Sequence, residues 1–412
     1  MLPSRWIKVV SFLRVGSCIA VLAQEDSLQA SIIDRSTLDG KLFVGYQAWF
    51  RKPFEDNGNS HWTTSLSDPG LTLIHYVVGV DMVPNITGYP EECLFDTSFT
   101  LPDGKPAQFY TNDCEWVVDL HFSMMANYGI SGAFIQRFYG YINEANGGWV
   151  NILNYAKTAA EKYGRGFVIE YDLNGAATGS TNVTDTFLAD LEALSSITSS
   201  PAYMHQNGKP VLEIWGLGIV TEVTVDDGIA IVTALKNAGW YVILGVQQAW
   251  HAELAADQPG GFGPVYKLAH MIQPWTVGSY DVNNYDEFHD GRQAIEDRNA
   301  LQQLGLESSI VVWPGGSSSN ANPSEVFDHF PRWNGTFYQK QLDGAISLKP
   351  NFIFGAMFDE VNEGTAIFPV LRNRELPTNQ RFLGIDDDME PDIYLKKAGD
   401  AASKLAAAWQ GD

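Results

Sequence analysis

Basic residues are scarce in this 412-residue chain: 26 Lys and Arg stand against 49 Asp and Glu, giving a formal charge of -23. A phosphate-binding surface needs a basic patch, and no long Lys/Arg run is present, so nucleic acid is excluded as a partner. After the N-terminus no segment approaches the 18 uninterrupted apolar residues that mark a membrane span, so no membrane association is expected once a leader is removed. The eight histidines show no H-x-x-x-H or H-x-H spacing and the acids match no D-x-D-x-D-G loop, so no metal site is expected. No G-x-S-x-G elbow occurs, and no G-x-G-x-x-G follows the first apolar run. No cofactor is expected either, and carboxylate acid/base chemistry is what remains.

Cysteine is also sparse, with three in the chain. The first 23 residues, "MLPSRWIKVVSFLRVGSCIAVLA", combine Arg5, Lys8 and Arg14 with the apolar run "VGSCIAVLA" and a small residue at Ala23. That is a secretory signal pattern, with a buried N-terminal helix as the alternative. Its removal takes Cys18 and leaves Cys93 and Cys114, an even pair that reads as a disulfide in an oxidising compartment; two unpaired buried thiols are the other reading. The sequons at Asn85, Asn182 and Asn334 are candidate glycosylation sites and agree with a secreted, extracellular protein.

What the chain does have is a recurring apolar rhythm. Eight short runs rich in β-branched and aromatic residues occupy 42–50, 129–140, 166–175, 209–218, 240–250, 270–280, 309–316 and 351–360. Segments with helical spacing lie between several of them, such as "WVNILNYAKTAAEKYG" and "VFDHFPRWNGTFYQKQLDGAISLKP". Nearly continuous apolar strands alternating with helices imply a parallel sheet covered on both faces. Eight units predict an α/β fold, a (β/α)8 barrel, with residues 24–412 as one catalytic domain. A doubly wound open sheet is the competing layout. Residues 51–128 are too long for a simple loop and are expected to form an elaborated excursion above the barrel mouth, followed by a first helix in "CEWVVDLHFSMMANYG" whose Trp116, Val117, Leu120, Met124 and Met125 face the core.

In such a barrel the carboxyl ends of the strands form the active face. Several runs end in polar or aromatic residues: Gln47 and Trp49; Gln136, Arg137 and Tyr139; Glu170 and Asp172; Glu213 and Trp215; Gln247, Gln248 and Trp250; Gln273 and Trp275. Sugar hydroxyls pair with carboxylates and amides while the apolar C–H faces of sugar rings lie against aromatic rings, so the set points to a carbohydrate partner. Residue by residue, packing of the tryptophans and pairing of the acids with Arg137 or Lys209 are the competing roles.

The last run, "NFIFGAMFDEVNEGTAIFP", delivers Asp359, Glu360 and Glu363 within five positions. In an extended strand Glu360 and Glu363 would face opposite ways; if the chain turns at "NEG" they come to one side and can converge on a substrate. Paired carboxylates flanking a glycosidic bond are the usual apparatus of glycoside cleavage. Acids favoured at the N-terminus of a following helix are the alternative.

"FDEVNEGTAIFP" resembles the "FNEWHEGTQIEP" signature that closes the last barrel strand of glycoside hydrolase family 99, the endo-α-mannosidases and endo-α-mannanases. Phe358, Glu360, Glu363, Gly364, Thr365, Ile367 and Pro369 carry the match. "VGYQAWF", "HFSMMANYGISGAFIQRFYG" and "FVIEYDLNG" resemble further segments of that family, and the chain is also similar to secreted proteins labelled xylosidase/arabinosidase or family 71/99-like. The resemblance implies that Glu360 deprotonates a sugar 2-hydroxyl and that Glu363 acts as general acid, then base. Tyr46, Trp49, Gln136, Arg137, Glu170, Asp172, Trp215, Trp250, Trp275 and Asp359 are the candidate substrate contacts. Asp359, Val361, Asn362 and Phe368 replace the Asn, Trp, His and Glu of the signature, and Tyr171 a Pro. An inverting route would instead pair Glu363 with Glu170 or Asp172 across the barrel. The expected function is therefore a secreted glycoside hydrolase, with a non-catalytic glycan-binding protein on the same barrel as the alternative.

Overall fold

A computed structural model describes residues 32–53, 60–63, 78–142, 148–176, 183–255 and 260–411. The signal-like segment 1–23 and the sequon at Asn182 lie outside the described residues. Each of the eight apolar runs contributes one strand: β1 Lys41–Tyr46, β2 Gly132–Phe138, β3 Gly166–Asp172, β4 Lys209–Leu217, β5 Tyr241–Gln247, β6 Met271–Trp275, β7 Glu307–Val312 and β8 Phe352–Gly355. Neighbours pair in parallel, β8 pairs with β1, and the ring closes where Glu170 of β3 stands in register with Glu213 of β4. This is a closed (β/α)8 barrel, and closure leaves none of the eight strands as a sheet edge.

Alternation along the strands divides the core in two. Side chains such as Val44, Ile135, Ile169, Ile214 and Leu244 pack outward under the helices. Phe43, Phe134, Val168, Val211, Ile243, Met271, Val311 and Phe354 fill the lumen. The helices that follow the strands are α1 Glu115–Asn127, α2 Gly148–Tyr163, α3 Val183–Ala193, α4 Val225–Asn237, the short α5 Gly263–Tyr266, the segment 285–304 (α6), α7 Thr336–Leu348 and α8 Ile393–Gln410. In α4 the side chain of Thr224 accepts from the N–H of Asp227, whose carboxylate accepts from the N–H of Thr224, a reciprocal cap that fixes the start of the helix.

Two helical expectations need correction. In α1 the buried face is Val117, Val118, His121, Phe122 and Met125, and Trp116 is left 48% exposed, because the stripe is turned relative to the apolar residues picked out in the sequence. The segment 326–350 is helical only from Thr336. Pro331 and the left-handed pair Asn334 (φ 52°) and Gly335 (φ 74°) hold the preceding residues out of the helix.

The excursion between β1 and α1 forms a hairpin of Leu94–Thr100 and Pro106–Tyr110. Cys93 at its base is joined by a disulfide to Cys114 at the start of α1, with 5.6 Å between their Cα atoms. His121 of α1 is locked between two phenols, 2.8 Å from the Tyr46 hydroxyl and 2.6 Å from that of Tyr89, and burial lowers its pKa to about 3, so the ring is neutral. The N–H groups of Asp81 and Met82 donate to the carbonyl of Val361 at 3.2 and 3.1 Å. The excursion is thereby fastened to the chain that carries Glu360 and Glu363.

Candidate functional site

Where β8 leaves the barrel, Asp359 turns inward and accepts from the backbone N–H groups of Gln47 and Ala48, both at 2.9 Å. Ala48 adopts φ 51°, which aims two successive N–H groups at one carboxylate. Burial raises the Asp359 pKa to about 7 against those two bonds. Its role is to hold the end of β1 against the end of β8, and this places the Gln47 amide 2.9 Å from Oε1 of Glu360.

Glu360 is 5% exposed and its other oxygen accepts from the Thr365 hydroxyl at 2.5 Å. The N–H groups of Thr365 and Ala366 also fold back on the Glu360 carbonyl, both at 3.1 Å. Burial, then the charge of Glu363, push the Glu360 pKa well up, while Thr365 and Gln47 oppose the shift. Glu363 is exposed, so water reaches its carboxylate, although the crowding of the surrounding loops and the charge of Glu325 still raise its pKa. Its carbonyl accepts from Ser317 N–H at 2.8 Å. Gly364 follows at φ +69°, where a Cβ would stand 2.6 Å from Ser317 N, so both the backbone conformation and the close approach require glycine. Arg332 closes the turn by donating to the carbonyls of Gly364 and Ala366 at 2.7 and 2.8 Å while stacking on Tyr394.

Around the rest of the lumen, Gln136, Glu170, Glu213, Gln273 and Ser309 form a buried polar belt. The amide of Gln136 donates to Glu170 at 2.9 Å, that of Gln273 to Glu213 at 2.6 Å, and the Ser309 hydroxyl to Gln273 at 2.6 Å. Burial, followed by the charges of Glu213 and Asp172, raises the Glu170 pKa well up, and burial does the same to Glu213. Asp172 lies one step nearer the mouth, 7% exposed, and burial outweighs its bond from Asn174 to bring its pKa to about 6. Trp215 and Trp275, half-buried and perpendicular with ring centroids 5.6 Å apart, stand one step above Glu213 and Gln273. None of the described ion pairs involves Glu170, Asp172, Glu213, Asp359, Glu360 or Glu363.

Three sequence candidates are not brought to the mouth, and a fourth, Trp49, has its ring faces covered. Arg137 is one residue out of phase with Gln136, points outward and is buried against Asp190 of α3, which also receives the Tyr171 hydroxyl. Tyr46 likewise points outward, to His121. Trp250 lies beyond the end of β5 in a turn, fully buried beside Tyr266. Trp49 is 8% exposed because His61 and Phe138 stack on its ring, at 3.9 and 5.4 Å between centroids. Of the sequons, Asn334 is exposed and Asn85 half-exposed.

Glu213, Gln273 and Ser309 of the belt are not among the candidate contacts read from the sequence, though "VLEIW" repeats the placement of Glu170 in "VIEYD". Asp81 and Arg332 carried no local signal. Asp81 accepts from the N–H groups of Ser319 and Asn320 at 2.9 and 2.7 Å, a tie between segments far apart in the chain. Among the described residues no group of three or more His, Cys, Asp or Glu is arranged to hold a metal ion, and no helix is long and apolar enough to cross a membrane. A groove of about 310 Å³ bordered by Arg298, Leu301 and Ile310 lies on the helical flank and contains none of the belt acids.

No sequence-family model and no curated protein matches the chain. Solved structures do. The glycoside hydrolase family 99 endo-α-mannosidase from Bacteroides thetaiotaomicron superposes with a TM-score of 0.64 at 15% identity, over 91% of this chain and 100% of that one. A glycoside hydrolase-like protein superposes with a TM-score of 0.53 at 14% identity, over 82% of this chain and 98% of the other. At these identities the likeness establishes the shared barrel.

Proposed function

We propose that the protein is a glycoside hydrolase that acts outside the cell, with the barrel as its single catalytic domain and Glu360 and Glu363 as the reacting carboxylates. One observation carries this reading: two glutamates three positions apart, near enough for the charge of Glu363 to act on Glu360, one buried and held by two donors, the other open to water. The disulfide agrees with an oxidising compartment, and the similar fold belongs to an enzyme named for cleaving mannosides.

The two environments divide the work. Gln47 and Thr365 stabilise the anion of Glu360, the form a base requires, while burial and the charge of Glu363 favour one proton shared by the pair. Glu363 delivers that proton to the leaving glycosidic oxygen as the C–O bond breaks. Glu360 takes the proton of the attacking group, the sugar 2-hydroxyl in the route implied by the family resemblance, so that its oxygen closes on C1. Water then opens the 1,2-anhydro ring: Glu363, now a carboxylate, takes the water proton, and Glu360 returns its proton to the 2-oxygen. Trp215 and Trp275 present aromatic surface to the ring faces of the sugar.

The test is a screen of fungal, plant and bacterial polysaccharides for newly formed reducing ends, with the anomer of the first product followed by NMR. Retention of configuration is the expected result. Inversion would redirect the assignment to Glu363 with Asp172 or Glu170 across the lumen, and binding without product release would leave a glycan-binding protein.

A further inference from the structure

We propose that the β3–β4 wall is a cradle for a protonated amine, so that the substrate class is a glycan carrying unacetylated amino sugars. The inference rests on the glycoside hydrolase reading for the identity of the ligand as a glycan, and on a separate set of residues for its charge.

Glu170 and Glu213 are register partners on adjacent parallel strands, both fully buried and both facing the lumen. Each uses one oxygen to accept from a glutamine, and each leaves Oε2 without a partner. Gln136, 5% exposed, spends its N–H on Glu170 and leaves its carbonyl oxygen unpartnered; Gln47, 7% exposed, spends its N–H on Glu360 and does the same. Binding to a carboxylate fixes which way each amide is turned, because an ionised carboxylate only accepts. The free atoms of these four side chains are thus acceptors, and they outnumber the free donor beside them, Nε1 of Trp215. A hydroxyl offers one donor and asks for a donor in return, whereas an ammonium offers three donors and accepts nothing, which matches this wall.

Charge points the same way. The mouth gathers Glu170, Asp172, Glu213, Glu360 and Glu363, and Arg137 is turned outward and engaged by Asp190. Burial and the repulsion between Glu170 and its acidic neighbours oppose two uncompensated charges here; an ammonium offsets them and satisfies both free oxygens. Because β4 stands opposite β8 in the ring, the amine lies across the lumen from Glu360, away from the 2-hydroxyl that Glu360 deprotonates. It therefore belongs to another position or to a neighbouring sugar.

The test compares binding of galactosamine, glucosamine and mannosamine with their N-acetyl forms and with the neutral hexoses by ligand-detected NMR at pH 7. The wild type is expected to bind at least one free amine about tenfold or more tighter than its N-acetyl form, the worth of one charge-assisted hydrogen bond. Glu213→Gln is expected to lose that preference. Equal binding of amine and N-acetyl forms by the wild type overturns the proposal, as does a preference that survives unchanged in folded Glu213→Gln; the wild-type comparison stands by itself if the variant does not fold. If amines are preferred and no polysaccharide is cleaved, the hydrolase reading fails and the cradle stands. If a neutral polysaccharide is cleaved and amines show no advantage, the cradle fails and the hydrolase reading stands.

Discussion

The carboxylates at the end of β8 and those on the β3–β4 wall occupy opposite sides of one lumen and differ in what supports them. Glu360 has two donors and a neighbour, Glu363, that reaches water. Glu170 and Glu213 have one donor each and no exposure. The first arrangement suits proton exchange, because a reacting acid must be recharged from solvent and a reacting base must have a stabilised anion. The second suits a proton or cation that stays in place. Placement in the strand accounts for the difference: the β8 pair lies beyond the last ladder bond, in a loop held by Arg332 and Gly364, whereas Glu170 and Glu213 lie within the ladder, surrounded by sheet.

The largest expected effect separates the pairs by activity. Glu363→Gln removes the only proton donor proposed for the leaving group and is expected to slow product release by about 10³-fold, measured as initial rate on the best polysaccharide, with its melting temperature nearly unchanged because the side chain is exposed. An equal loss of activity in Glu213→Gln, with ligand affinity intact, would erase the distinction between the pairs. Next in size is the support of the turn. Cys93→Ser with Cys114→Ser frees the excursion that holds Val361, and is expected to cost about 3 kcal/mol of stability, read as a lower midpoint in urea.

Stability against pH then distinguishes the buried pair. Carboxyl groups whose pKa is raised in the folded state hold their protons after the unfolded chain has released its own, so folding stability falls as pH rises above the ordinary glutamate pKa of 4.5. Glu213→Gln removes part of that loss. Its melting temperature is expected to exceed that of the wild type at pH 8 and to converge with it at pH 4; a constant difference across that range would show that Glu213 does not titrate in the fold. The smallest effect tests the donors on Glu360: Thr365→Val is expected to lower the rate about tenfold, the worth of one hydrogen bond to a charged group, and, because losing that bond raises the Glu360 pKa, to move the acidic limb of the pH–rate profile to higher pH if Glu360 is the base.

Much of this was legible in the chain. The eight apolar runs each became a barrel strand, the Cys93–Cys114 pair formed its disulfide, and the polar end of the last run marks a turn at the mouth. Side-chain direction at the strand ends was not legible. Gln136 and Arg137 are adjacent, and which one faces the lumen depends on the phase of the strand, so a one-residue choice sent Arg137 outward to Asp190. Trp250 failed as a mouth residue because the strand ends three residues before it. Asp81 and Arg332 act on the turn through contacts across more than 200 and about 30 residues of chain, respectively, and nothing local announces such ties.

The most direct test of the central assignment is product release by wild type, Glu360→Gln and Glu363→Gln on one polysaccharide that all three bind. Reducing ends from the wild type, with both variants slowed at least about 10²-fold at undiminished affinity, is the expected result. Equal release by all three, or binding by all three with release by none, would contradict it.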